Sequence, residues 1–333
     1  MTRRSMLVLI AMLLSGNLMP ATAQQPGFKP PEEINYRRQV ILSEGVRLSA
    51  ELFSARRLDG QKLPTIIMSH GWGGTAALLR PDAIVFAKAG YLVVTFDYRG
   101  WGNSESRVIL AQPAPKDRPN HRFTAEVIEV REVVDPLDQT TDLLNVLHWV
   151  QGESQCDTER IGLWGSSFSG AHVVYAAARD PRVKALVSQV PPQDARWVTV
   201  TPEARAQTYR EATQRTRGEI GYPPPGARVV GNLRGGPVRE RMLDYSPVND
   251  VERADACAML FILAEKEELF DNKEHGLKAY ERAKGPKRLV VIPKITHYGV
   301  YLEAREQAQQ LALAWFNEHL KSPAAAAPSA AGR

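Results

Sequence analysis

From Thr65 onward, short apolar runs alternate with stretches of helical periodicity, and that alternation constrains the fold more than any other feature of the chain. Strands are predicted over 65–68, 91–96, 161–164, 183–190, 259–264 and 288–292, and helices over 81–89, 140–151, 169–179, 273–283 and 305–320. Between 140 and 151, Leu143, Leu144, Leu147 and Val150 share one face, the spacing of a helix buried on one side. The run Thr65-Ile66-Ile67-Met68 is apolar almost throughout and does not alternate, as befits a strand covered on both faces. Repeated strand–helix–strand units demand a mostly parallel sheet with helices on both sides, an α/β fold. Two further strands, over 37–42 and 46–53, join at Ser43-Glu44-Gly45 in a hairpin that adds an antiparallel edge and brings the sheet to eight strands.

Two segments interrupt the alternation, 107–138 and 191–250. The second holds Pro223-Pro224-Pro225, Gly235-Gly236-Pro237 and an amphipathic helical pattern over 202–217. Insertions this long in a compact domain are commonly lids, so 191–250 is read as a cap. The rest divides into a leader at 1–23, a Pro-rich linker at 24–36, a domain at 37–320 and an Ala/Pro-rich tail at 321–333, expected to be disordered. In the leader, Arg3 and Arg4 precede the apolar run 6–14, and Ala21-Thr22-Ala23 is a small-residue cleavage site. That arrangement is an export signal, and the run is too short to span a bilayer. The expected location is therefore periplasmic or secreted, with no membrane span after the signal is removed. The formal charge is +5, two units of which sit on Arg3 and Arg4, and no basic block with interleaved aromatics points to nucleic acid. Cys156 and Cys257 match no metal or redox spacing. In an oxidising compartment they are either bridged or two separate buried thiols.

Chemistry concentrates at the ends of the predicted strands. Gly165-Ser166-Ser167-Phe168-Ser169-Gly170 follows one strand and opens a helix, the context of a nucleophile elbow, and elbow geometry selects Ser167 from the three serines. A serine hydroxyl needs a general base. Of seven histidines, His297 in Ile295-Thr296-His297-Tyr298-Gly299 lies on the loop after the last strand, whereas His275 and His319 read as surface residues of helices. The acid that orients the base is expected after the strand at 259–264. Glu265, Glu267, Glu268 and Asp271 are candidates there; Glu267 is preferred for its place in the turn, with Glu268 and Asp271 left open. An oxyanion hole needs two backbone N–H donors. Phe168 supplies one as the residue after the nucleophile, and Trp72 in His70-Gly71-Trp72-Gly73-Gly74 supplies the other. The turn Asp97-Tyr98-Arg99-Gly100-Trp101-Gly102-Asn103-Ser104 is read as structural, with Trp101, and Tyr298 beside the histidine, expected to line a substrate pocket. Arg205, Arg210, Arg215, Arg217, Arg234 and Arg239 in the cap are read as a solvated face.

These motifs, in this order, resemble the α/β-hydrolase superfamily across most of the chain. The chain is similar to dienelactone-hydrolase-like proteins, to the hydrolase domain of Xaa-Pro dipeptidyl-peptidases and to a polyketide-transferase-like branch with a Gly-x-Ser-Phe-Ser-Gly elbow. The resemblance implies an α/β-hydrolase fold and a serine hydrolase, first of all one cleaving a carboxylic ester through Ser167, His297 and Glu267. Dienelactone hydrolases often use cysteine, so Ser167 points to ordinary ester or amide chemistry. Alternatives are a proline-specific peptidase, an acyltransferase whose cap excludes water, and a non-catalytic binding protein. The expected partner is a small-molecule ester or amide, no metal or organic cofactor is required, and the oligomeric state is left open.

Overall fold

In the computed structural model, residues 27–229 and 233–321 are described, and one compact body extends from Glu32. The segment 1–23 predicted as a leader and the tail beyond residue 321 lie outside the described residues. Eight strands form one sheet: β1 (Ile34–Ser43), β2 (Val46–Ala55), β3 (Leu63–Ser69), β4 (Leu92–Phe96), β5 (Cys156–Ser166), β6 (Val183–Gln189), β7 (Ala258–Ala264) and β8 (Lys287–Ile292). Their spatial order is β1-β2-β4-β3-β5-β6-β7-β8. β2 runs antiparallel to both of its neighbours, and every other pair is parallel. The first hairpin closes at Glu44 and Gly45, with φ of 49° and 86°. Positive φ at both central residues is the type I′ turn that matches the twist of paired strands.

β3, β4 and β7 are buried along their whole length, as expected of strands covered on both faces. The longer helices are α1 (Arg80–Lys88), α2 (Pro136–Val150), α3 (Phe168–Ala177), α4 (Pro202–Thr216), α5 (Gly276–Arg282) and α6 (Arg305–Phe316). α2 begins four residues before the start predicted from periodicity. Asp135 caps it, its carboxylate accepting the Leu137 and Asp138 N–H groups, and Pro136 fills the first helical position. α5 begins three residues late because the chain first turns at Asp271 and Asn272. The Asp271 carboxylate accepts the Lys273 N–H at 2.9 Å, and the Asn272 amide reaches back to the Ala264 carbonyl at 2.7 Å.

The two interrupting segments do form structure. Residues 107–110 and 127–130 pair as an antiparallel ribbon. Val133 and Val134 pair with Gly236 and Pro237, tying the first segment to the second. α4 is capped by the Thr201 hydroxyl. Thr208 is its only fully buried residue, so it is less amphipathic than its sequence suggests. Cys156 and Cys257 are separate buried thiols.

Candidate active site

Ser167 occupies the turn between β5 and α3 with φ 56° and ψ −129°. That conformation costs a non-glycine residue on the order of 1–3 kcal/mol and persists only where its surroundings impose it. They do so here. The Ser167 N–H donates to the Gln189 carbonyl on β6 at 2.8 Å. Gly71 comes so close that a Cβ there would lie 2.8 Å from both the Ser166 carbonyl oxygen and the Ser167 Cβ. The flanking serines are committed elsewhere. The Ser166 hydroxyl bonds the Tyr301 hydroxyl at 2.7 Å and accepts from the Gln189 amide at 2.9 Å. Ser169 bonds Ser69 beneath the turn.

The loop after β8 carries His297 to this hydroxyl. Its Nε2 lies 3.0 Å from Ser167 Oγ, and its Nδ1 lies 2.9 and 3.0 Å from the two Glu267 oxygens. The His297 and Glu267 side chains are both 2% exposed. This network assigns the proton to Nδ1, leaving Nε2 as the acceptor for the serine O–H. The other acidic candidates hold the scaffold. Glu268 accepts the His297 backbone N–H at 2.6 Å, Glu265 accepts the Lys294 N–H at 2.6 Å, and Asp271 caps its own turn. A hydroxyl, an imidazole and a carboxylate so aligned can deprotonate the hydroxyl as it attacks a carbonyl and neutralise the imidazolium that results.

Phe168 is the first residue of α3, so its N–H has no intrahelical acceptor and sits at the positive end of the helix. Trp72 follows Gly71, the residue touching Ser167. Its ring lies 5.1 Å from that of Phe168, and its indole N–H donates to the Gly235 carbonyl. Burial pulls the pKa of the neighbouring His70 imidazole down to about 4, so it is neutral at ordinary pH. The turn beginning at Asp97 is structural. The Asp97 carboxylate accepts the Ala76 and Asn103 N–H groups, and its carbonyl accepts the Ser104 hydroxyl.

Ser167, Trp72 and Phe168 line a cavity of about 960 Å³ whose walls also include Trp197, Tyr209 and Phe270. Trp101 and Tyr298 do not line it. Trp101 is in the core, its indole N–H donating to the Val133 carbonyl and its ring filling the space beside Gly235. Tyr298 stacks edge-on against His297, with ring centroids 5.4 Å apart. His275 corrects the sequence reading in the opposite direction. It is 7% exposed, lines the cavity and packs its ring against Phe270, and burial lowers its pKa. Helical periodicity carried no sign of this, because His275 precedes the first turn of α5. Of the six cap arginines, Arg205 lines the cavity. Arg215, Arg217 and Arg239 pair with Glu240, Glu219 and Glu211.

The family described as X-Pro dipeptidyl-peptidase (S15 family) matches residues 44–210. An uncharacterized 31.7 kDa protein of Escherichia coli, from the traX-finO intergenic region, is 28% identical over 311 residues, covering 84% of this chain and 98% of the relative. The thiohydrolase aneE of Aspergillus aculeatus is 25% identical over 313 residues, covering 82% of this chain and 90% of its own. Among solved structures, the alpha/beta hydrolase GrgF from Penicillium sp. superposes with a TM-score of 0.68 at 21% identity, covering 86% of this chain and 99% of that one. That likeness shows the α/β-hydrolase fold.

Proposed function

Since the chain belongs to the X-Pro dipeptidyl-peptidase family S15, whose fold is that of a hydrolase, we propose that it cleaves a carboxylic ester through an acyl-enzyme on Ser167. The observation that carries this reading is the unbroken line of hydrogen bonds from Ser167 through His297 to Glu267, at 3.0 and 2.9 Å. Ser167 Oγ attacks the ester carbonyl while His297 Nε2 takes its proton. Glu267 offsets the charge on the imidazolium. The oxyanion of the tetrahedral intermediate is held by the Trp72 and Phe168 N–H groups. His297 then returns the proton to the leaving oxygen, and water repeats the sequence to release the acid.

A cavity of about 960 Å³ with aromatic walls suits a bulky apolar acyl group better than acetyl. The thiohydrolase relative brings a sulfur leaving group within range. The segment 191–250 acts as the cap, and the leader at 1–23 exports the chain. The family description favours a second reading, a peptidase cutting after proline. Of the three cavity-wall carboxylates, Asp194 is paired with Arg196 and Glu274 with Lys278, while Asp271 accepts only the Lys273 N–H and keeps its full negative charge. A peptide's terminal ammonium would need one such carboxylate.

The test is a fluorophosphonate probe followed by a panel of oxygen esters, thioesters and a dipeptidyl-proline amide. Wild type is expected to label at Ser167 and to hydrolyse bulky acyl esters. Ser167→Ala is expected to lose labelling and at least about 10,000-fold in kcat. An unlabelled wild type, or full activity in Ser167→Ala, would sink the proposal.

A further inference from the structure

The chemistry at Ser167 leaves a buried polar group of the cavity wall unused. His275 lines the cavity and is 7% exposed. Its Nδ1 is buried with no hydrogen-bond partner, and none of the described residues bonds its Nε2. Nε2 is thus the nitrogen left open to the cavity. The other buried polar side chains of the wall are engaged. Ser167 bonds His297, the Trp72 indole N–H donates to the Gly235 carbonyl, and the Thr199 hydroxyl donates to the Arg196 carbonyl. Arg205, Tyr209, Asp271 and Glu274 are exposed.

Burial lowers the His275 pKa, so the ring is neutral at ordinary pH, with one donor and one acceptor nitrogen. In the open cavity water can meet Nε2. An acyl chain that enters expels this water, and a chain of carbon alone leaves Nε2 unpaired, at the cost of a lost hydrogen bond. A site with such a group discriminates against ligands that cannot bond it. Charge narrows the choice of partner. The wall carries three carboxylates against two guanidinium groups, so nothing draws an anion. A cation would meet an uncharged ring among aromatic side chains, where a charge is costly. A hydroxyl donates and accepts from one atom, and so fits Nε2 in either tautomer.

We propose that the substrate is an ester whose acyl chain bears a hydroxyl group bonded to His275 Nε2, an inference that rests on the ester reading and names its substrate class. Phe270 sets where along the chain this hydroxyl lies. Its ring stands between the two imidazoles, with its centroid 4.9 Å from that of His275 and 5.7 Å from that of His297. The hydroxyl is therefore several carbons from the carbonyl at Ser167, and the stretch between them passes along Phe270. His275 selects the substrate and takes no part in the proton transfers.

The experiment is calorimetric binding to Ser167→Ala of ethyl decanoate and of a series carrying one hydroxyl at successive positions along its chain. At one position the hydroxylated ester is expected to bind about 10- to 100-fold tighter than ethyl decanoate. Adding His275→Phe should erase that advantage, and His275→Gln, which keeps a donor and an acceptor, should retain part of it. The side-chain nitrogen resonances of His275 in nitrogen-15-labelled Ser167→Ala read the same contact without a second substitution. They are expected to shift with the favoured ester and not with ethyl decanoate. The inference is overturned if no hydroxylated ester binds tighter than ethyl decanoate, if the advantage survives His275→Phe, or if the His275 resonances respond alike to both ligands. Binding is read without turnover, so a wild type that shows the hydroxyl preference but hydrolyses no ester would sink the ester reading alone.

Discussion

At the scale of single residues, two adjacent glutamates divide the work of holding His297. Glu267 takes the imidazole and Glu268 the backbone N–H of the same residue. The division predicts different outcomes for similar changes. Glu267→Gln keeps the shape but presents an amide to the ring, and kcat for ester hydrolysis is expected to fall by about 10,000-fold, as when a triad carboxylate becomes an amide. Glu268→Gln retains an acceptor oxygen and should leave kcat within a few-fold. Glu268→Ala removes the acceptor and should cost about tenfold, the equivalent of one hydrogen bond. Steady-state kinetics on one ester separates the three. Equal losses in Glu267→Gln and Glu268→Gln would mean that the carboxylates are interchangeable. Ser167 and His297 were legible in the sequence because each sits at a strand end in a fixed topological place. The turn after β7 already favoured Glu267, but setting aside Glu268 and Asp271 needed the loop geometry, because consecutive residues of a turn point in different directions that composition does not encode.

At the scale of elements, α2 shows how a local signal sets a boundary that periodicity misses. Its apolar stripe marks the buried face, but Asp135 and Pro136 set where the helix begins. Asp135→Ala should therefore destabilise the fold by about 1 kcal/mol, read as a lower urea midpoint. Ester hydrolysis should be unchanged, since Asp135 is not part of the cavity wall. An unaltered midpoint would show that the cap contributes nothing. Of the segments 107–138 and 191–250, the helix at 202–217 was legible in the sequence and the rest read only as interruptions. Their pairing, Val133 and Val134 with Gly236 and Pro237, joins residues about a hundred positions apart through a two-residue bridge too short to leave a pattern.

At the scale of the whole molecule, burial of neutral histidines couples folding to pH. His70 and His172 are 3% and 1% exposed, and desolvation pulls their pKa values down to about 4 and about 3. In the unfolded chain both imidazoles take a proton near pH 6.5. Below that pH the unfolded state binds more protons than the folded one, so stability falls as the pH drops from about 6.5 through about 4. Urea midpoints measured across this range should decline, and His172→Gln should decline less steeply than wild type. Identical slopes would show that His172 is not the source.

By itself, the sequence determined the layered α/β order, the strand-end positions of Ser167 and His297, and the glycine-rich loop at His70-Gly71-Trp72, because each depends on residues close together in the chain. Only the tertiary structure decided which acid faces His297. It also buried Trp101 in the core, turned His275 from a helix surface into the cavity wall, and left the ribbon at 107–130 exposed on both faces. Those outcomes depend on what packs across the sheet and between insertions, and a pattern read along one strand or helix carries no record of the neighbour opposite.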